Sequence, residues 1–511
     1  MPTSPLLQRT LQLLSAVVFT LAADPAAAQS TASAVGLHPA NQAVDINPDT
    51  LLSLSFAEPP LLGTSGQIRI YDAADHRLVD TLDLSVPAGP DPTHRIALPA
   101  DAIDPNPATP TTTTPAVRTT PADLHRYQLN TIGGLADFHF YPVIIRGKVA
   151  TIYPHNQVLQ YKHSYIVQID PGVLLPAAGS PDAAFAGFSS DKDWTFSTKA
   201  ASPAADAHRL VVASDGSGDF NTVQGALDFV PDHPLERLTI FIRNGRYEEI
   251  VFFRGKSNLT LRGEDRDKVQ IGYGNNSAFN PPMPGPSRRS AFSVYDSTDI
   301  TLSNFSVSNF DGGQAEGLLI YGSHNIVDRV NIKGSGDALN LRGSVYLNEC
   351  RIIGDGDTIL GVGPAFFNHC EIQSARAYMW MRNTGANHGN VFVNSTFITH
   401  KAAAAYASAQ PDVAVLARLP SNHGLNYPEA EVVLINCRMK GIPPEGWGPL
   451  DGDTSRVRFW EFHSTDLDGH PVDTRQRHPA SRQLAQPQDA EIIANYSRPA
   501  FVLGGWTPVV E

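Results

Sequence analysis

The chain has 511 residues, 38 Lys+Arg against 51 Asp+Glu, a formal net charge of -13, and only 3 Cys. That charge argues against nucleic acid as a partner, because phosphate binding needs a basic face, and the cysteine count excludes a disulfide scaffold or a Cys-rich zinc module. Hydrophobic residues at 42% and charged ones at 17%, with 40 Gly and 40 Pro, describe an ordered, turn-punctuated, β-rich chain able to bury a large core.

Arg9 precedes an apolar run from Leu11 to Ala23, and Ala26, Ala27 and Ala28 then offer a small-residue cleavage site. This is the order of a secretory signal peptide, with an apolar stretch short of the roughly 20 residues that span a bilayer. Residues 1–28 are expected to be a removed leader. The mature protein is expected to be secreted or periplasmic, monomeric, and without a membrane partner. From Gly36 to Lys199, short segments such as Leu51–Phe56, Gln67–Tyr71, Ser164–Ile169 and Trp194–Phe196 alternate apolar and polar residues between turns. Strands with one buried face at this spacing predict a β-sandwich. The opening His38-Pro39-Ala40, the Phe56-Ala57-Glu58-Pro59 step and the closing Trp194-Thr195-Phe196-Ser197-Thr198 resemble bacterial Ig-like domains found beside secreted enzymes. Residues 36–199 are thus expected to form an Ig-like accessory unit, with a Pro/Thr-rich surface loop from Pro99 to Pro121, and 200–208 a linker.

From residue 209 onward the chain repeats itself. Val345-Tyr346-Leu347-Asn348-Glu349-Cys350 is echoed by Ala365-Phe366-Phe367-Asn368-His369-Cys370, and the markers Val330, Cys350 and Cys370 are 20 residues apart. Looser echoes around Phe305, Thr396 and Cys437 extend the series. A period of 20 to 26 in strand-like, Asn-punctuated segments marks a solenoid, and the fixed Leu and Asn spacing of leucine-rich repeats is missing. The expected fold is all-β: a right-handed parallel β-helix over 209–511, preceded by the sandwich. Equivalent residues of neighbouring coils then stack about 4.8 Å apart. Cys350 and Cys370 are such a pair, as stacked thiols or as a disulfide. Asp337 and Asp357, also 20 apart, are another. Two carboxylates held about 5 Å apart repel, which pushes one toward its protonated form and suits acid/base or nucleophilic chemistry. Solvated turns, or a Ca²⁺ site built on Asp355-Gly356-Asp357, are the alternatives.

Several ordered motifs then carry a resemblance. Val212-Ala213-Ser214-Asp215-Gly216-Ser217-Gly218-Asp219-Phe220 comes first, followed by Gly245-Arg246-Tyr247-Glu248-Glu249 and Gln314-Ala315. Asp337-Ala338-Leu339, Asp357-Thr358-Ile359-Leu360-Gly361, Leu416-Ala417-Arg418 and Pro444-Glu445-Gly446-Trp447 complete the set. In this order and at these separations, residues 210–469 resemble the pectin methylesterase family of carbohydrate esterases. The resemblance implies hydrolysis of galacturonate methyl esters in pectin or a methylated oligogalacturonide, with release of methanol. It also implies Asp357 as nucleophile, Asp337 as acid/base, Gln314 as oxyanion donor and Arg418 as the cation beside the nucleophile. With a carboxylate nucleophile, no metal and no cofactor are expected.

The departures from the family pattern are as informative. Gly336 stands where the family has a second Gln, which removes one candidate oxyanion donor. Leu419-Pro420 replace Pro-Trp after the arginine, and Asn340, Thr358 and Leu360 replace apolar or aromatic positions. Trp380, Tyr378 and Trp447, with Trp460 as a further candidate, are the aromatics available to rebuild a sugar-stacking wall. An esterase for a differently substituted pectic oligosaccharide therefore stands beside the leading reading. So does a non-catalytic pectic-polysaccharide-binding β-helix, which does not need Asp337, Asp357 and Arg418 together.

Overall fold

The computed structural model describes residues 35–90, 126–176, 185–401, 413–421 and 426–510. The leader expected over 1–28 and the Pro/Thr-rich loop expected over 99–121 lie outside the described residues. Among those described, no helix is long and apolar enough to cross a membrane.

Two sheets enclose one apolar core in the N-terminal unit. Gly36–His38, Leu52–Ser55, Val149–Ile152 and Val143–Arg146 make one sheet, entirely antiparallel. Ala43–Ile46, Thr195–Thr198, Ser164–Ile169, Gln67–Asp72 and Leu78–Asp83 make the other, with one parallel pairing at its edge. Alternation places Leu52, Leu54, Ile68, Ile70 and Val167 inward. Trp194 closes that core, its indole N–H donating to the Pro39 carbonyl at 2.9 Å.

The remainder is a parallel β-helix whose coils each contribute up to three strands. Leu318–Ser323, Leu339–Arg342, Ile359–Gly361, Met379–Met381 and Ala417–Arg418 stack in parallel on one face. Asn325–Asp328, Val345–Asn348, Ala365–Asn368, Asn390–Val393 and Glu431–Ile435 stack on the second. Asn331–Lys333, Arg351–Ile353, Glu371–Ser374, Thr396–Thr399 and Arg438–Lys440 stack on the third. Each inward row is a column of like residues, such as Ile332, Ile352, Ile372, Phe397 and Met439, all buried.

The repeat seen in the sequence has a backbone cause. Between second and third faces the chain turns on one left-handed residue per coil: Arg329, Glu349, His369, Asn394 and Asn436, with φ from 49° to 53°. Asn is favoured there because its short polar side chain tolerates that conformation. Just before the turn, Asn368 donates to Asn348 at 2.9 Å and Asn348 to Asp328 at 2.8 Å, so the side chains stack as a ladder. Just after it come Cys350, Cys370 and Cys437, all buried and all free thiols. The stacked-thiol alternative is the one the structure contains.

Two further elements pack on the outside of the coils. The helices Ala490–Tyr496 and Pro499–Val502 close the outer side of the second face over Tyr346, Phe366, Val391 and Val433. The N-terminal unit caps the early coils, drawing Ile250, Phe252, Tyr273 and Phe279 of the β-helix into its own apolar cluster. Polar contacts follow the same seam. Asp49 accepts from the Asn221 and Thr222 amides at 2.8 and 2.7 Å, ahead of the helix Val223–Phe229, and Arg146 pairs with Glu248. On the outer side of the first face, Leu319, Asn340 and Leu360 are buried, while Trp380 and Arg418 of the later coils are partly exposed among the described residues.

Because Phe252 is fully buried at this seam, Phe252→Ala is expected to destabilise the protein by about 3–5 kcal/mol. Calorimetry is expected to show one unfolding transition for the wild type and two for the variant, as the units lose their shared core. A variant that still melts in one unshifted transition would show the units to be coupled elsewhere.

Candidate active site

Three loops at the same corner, where the third face passes into the first, carry the candidate residues. Gln314 lies between Ser306–Asn309 and Leu318–Ser323, Asp337 between Asn331–Lys333 and Leu339–Arg342, and Asp357 between Arg351–Ile353 and Ile359–Gly361. Flanking pairs Lys333↔Ile353 and Leu339↔Ile359 keep the two aspartates at equivalent positions of adjacent coils. Both adopt a left-handed backbone, φ 63° for Asp337 and 44° for Asp357.

Asp357 is held by a fork. Arg418 donates Nε to Oδ1 at 2.7 Å and Nη2 to Oδ2. This is the strongest geometry available between a carboxylate and a cation, and it fixes both oxygens in direction. The hydrogen bond to Asp357 raises Arg418 above its ordinary value. The same guanidinium lies over the Trp380 ring, its carbon 5.6 Å from the centroid, and Arg382 lies over that ring at 4.9 Å.

Asp337 has a different environment. Burial pushes it up to about 7, partly opposed by Arg289 and Arg382 and reinforced by Glu316 and Asp357. Arg289 donates Nη2 to Asp337 Oδ2 at 3.1 Å and Nη1 to Gln314 Oε1 at 2.8 Å. Its Nε meets both oxygens of Glu316, at 2.7 and 2.8 Å, and Glu316 is wholly buried. Two carboxyl groups one coil apart thus differ: one is buried and carries a proton near neutrality, the other is forked by arginine.

Gly336 and Asp355 shape the loop that presents Asp337. Asp355 accepts from the Gly336 amide at 3.1 Å and from the Ser335 hydroxyl at 3.0 and 3.1 Å. These bonds, and the Asp357–Arg418 fork, occupy the carboxylates of the expected Ca²⁺ alternative. Among the described residues the acidic and histidine group close enough to hold an ion is Asp466, Asp468 and His470, on the surface. At Gly336, φ is 49° and an added Cβ would sit 2.5 Å from the Gly313 carbonyl oxygen. The backbone carrying Gln314 presses too close for any side chain at 336.

Sequence reading assigned the wall aromatics less well. Trp380 points outward on the first face, one coil from Arg418 and in register with it. Tyr378 is instead fully buried in the core, its hydroxyl 3.1 Å from Thr399. Trp447 is buried too, stacked on Phe459 and donating to Glu461 at 3.0 Å. Neither offers a face to a sugar. Trp460 packs against Tyr496 beneath the C-terminal helices, on another face. Arg289, Glu316 and Arg382 were missed. Arg289 sits in a long Pro-rich segment with no repeat to follow, and only the rare charge pair Arg288-Arg289 in that stretch marks it.

The described residues thus form a parallel β-helix with a carboxyl pair and an arginine fork at one corner of its coils. Residues 209–504 match the family model described as Pectinesterase. The chain belongs to the pectinesterase family. It is 28% identical to probable pectinesterase 30 of Arabidopsis thaliana over 263 residues, covering 50% of this chain and 52% of that protein. It is 30% identical to probable pectinesterase/pectinesterase inhibitor 61 of the same plant over 313 residues, covering 58% and 51%. The chain spans about half the length of the curated relatives it matches. Among solved structures it resembles pectin methylesterase from carrot, at 20% identity and TM-score 0.49, covering 60% of this chain and 95% of that one.

The Gly336 contact predicts that restoring the family's Gln fails. Gly336→Gln is expected to cost roughly 2–4 kcal/mol, because it adds strain at a left-handed residue and a backbone clash; an unchanged melting temperature would refute the clash. Asp337 gives a second test. A carboxyl raised from 3.8 to about 7 contributes stability that is full below pH 3.8 and lost as the pH rises through 7. Asp337→Asn should therefore be more stable than wild type at pH 8, by on the order of 4 kcal/mol, and close to it at pH 4. Equal offsets at both pH values would contradict that burial.

Proposed function

We propose that this protein hydrolyses methyl esters of galacturonate in pectin or methylated oligogalacturonides, with Asp357 as nucleophile and Asp337 as acid/base. The observation that carries the reading is the unequal pair: a forked Asp357 and, one coil away, a buried Asp337 raised to about 7. A fold needs neither, whereas ester hydrolysis needs one carboxylate to attack and one carboxylic acid to protonate.

In this mechanism an Asp357 oxygen bonds to the ester carbonyl carbon, while Arg418 holds the other carboxylate oxygen in place. Charge moves to the former carbonyl oxygen, which the Gln314 amide stabilises. The tetrahedral centre collapses, the bond to methoxide breaks, and Asp337 gives that oxygen its proton, so methanol leaves. An acyl-enzyme anhydride remains on Asp357. Asp337, now ionised, takes a proton from water, which attacks the anhydride's galacturonyl carbon. The Asp357 carboxylate leaves, the product forms as the carboxylic acid and loses its proton to bulk water, and Asp337 is protonated again. Trp380, partly exposed beside Arg418, is the aromatic that supports a sugar ring in the groove.

Methylated pectin incubated with the purified protein should release methanol without new reducing ends or unsaturated product, and Asp357→Ala should abolish the release. Acylation needs Asp337 protonated, so kcat/KM should fall as pH rises through about 7. Asp337→Asn should lower activity by about 10²–10⁴ and remove that limb. No methanol from a panel of methylated and acetylated pectins would leave the binding reading in its place.

A further inference from the structure

We propose that Arg289 is a positioning residue: its guanidinium fixes the Gln314 amide in one orientation and holds the Asp337 carboxyl in line, as the loss of a second carboxamide at Gly336 requires. The inference rests on the proposed function and adds a residue to its machinery.

Four observations converge. First, a guanidinium has five N–H donors and no acceptor, so it can contact only the oxygen of a carboxamide. The 2.8 Å bond from Arg289 Nη1 to Gln314 Oε1 therefore turns the Gln314 NH₂ away from Arg289, where it is free to donate. Gln314 is exposed, and an amide turned the other way would present its oxygen to an oxyanion. Second, the neighbouring Nη2 reaches Asp337 at 3.1 Å, so one rigid plane sets the spacing of oxyanion donor and acid/base.

Third, the guanidinium is itself immobilised. Glu316, wholly buried, takes its Nε through both oxygens and in turn accepts from Asn340 at 3.3 Å. Fourth, the backbone beneath it is pinned on both sides. Asn275 donates to the Arg288 and Ser290 carbonyls at 2.7 and 3.0 Å, and Asn309 donates to that of Arg289 at 3.2 Å. Arg288 anchors to the Ala136 carbonyl of the N-terminal unit at 3.0 Å. At Gly336 an approaching carbonyl bars any side chain, so position 336 supplies no carboxamide beside Gln314.

Asp337 is faced by Arg289 and Glu316, by Asp357 and Arg382, and by Arg418. Two variants separate geometry from charge. Arg289→Lys keeps the cation beside Glu316 and replaces the planar, spread donors of the guanidinium with a single nitrogen. The double variant Arg289→Gln/Glu316→Gln removes both charges together, so no buried charge is orphaned.

Each is assayed for kcat and KM on methylated pectin. The titration of Asp337 is followed by carboxyl ¹³C NMR without substrate. Arg289→Lys should lower kcat about 10- to 100-fold with KM nearly unchanged, because misplacing a group in the transition state costs that much. Its Asp337 midpoint should stay near 7. In the double variant kcat should fall similarly and the midpoint should rise, since Arg289 acts on Asp337 more strongly than Glu316 does. Folded variants with wild-type kcat and an unmoved midpoint in the double variant would overturn the inference. If wild type releases no methanol, the proposed function falls, and the NMR midpoint still decides whether Arg289 governs Asp337.

Discussion

Everything in the β-helix depends on parallel, in-register stacking of coils. Once Lys333 pairs with Ile353 and Leu339 with Ile359, two residues 20 apart have no choice but to be vertical neighbours. The left-handed residue at each second-to-third-face turn keeps that register, because it ends one strand and aims the next without lengthening the coil. Variation is then confined to the corners. The candidate site occupies one such corner, where loops differ in length while their flanking strands remain locked.

Charge balance explains why that corner holds two kinds of carboxyl group. Asp357 with Arg418, and Glu316 with Arg289, are two compensated pairs built from hydrogen-bonded forks. Asp337 is an acid without a fork of its own, buried between them with Arg382 as a more distant cation, while Asp355 is held by the Ser335 hydroxyl and the Gly336 amide. A proton on Asp337 is the least costly way to neutralise it, which is what raises its titration toward neutrality. Removing either arginine leaves a carboxylate uncompensated, so the pairs constrain each other as well as the acid.

How much of this was legible depended on periodicity. The markers at Val330, Cys350 and Cys370 sit beside the left-handed turns, so their spacing reported the coil directly, and the β-helix and the stacked aspartates followed from it. The aromatics failed because exposure depends on position within a coil. In Met379–Met381 the outward residue is Trp380, while Tyr378, just before that strand and two residues from Trp380, lies at the corner and turns into the core. Trp447 lies outside the repeat, where parity gives no guide. Arg289 was invisible for the same reason: the stretch between Val269–Tyr273 and Phe292–Ser303 has no period, and its fold is decided by what it packs against.

What it packs against is the N-terminal unit. Phe279 stacks on Tyr141 with ring centroids 4.4 Å apart, and His139 bonds to the Phe279 carbonyl at 2.7 Å and, through its backbone amide, to Asn280 at 2.9 Å. Those contacts grip one end of the same segment that presents Arg289 at the other. A tethered module that merely located the enzyme on a surface would need only a flexible linker and a polar flank. Here Phe252, Tyr273 and Phe279 of the β-helix complete the apolar core of the N-terminal unit, and the β-helix without that unit would expose them to water. The seam therefore belongs to the construction of the site: the sandwich fixes the loop, the loop fixes Arg289, and Arg289 bonds to both Gln314 and Asp337.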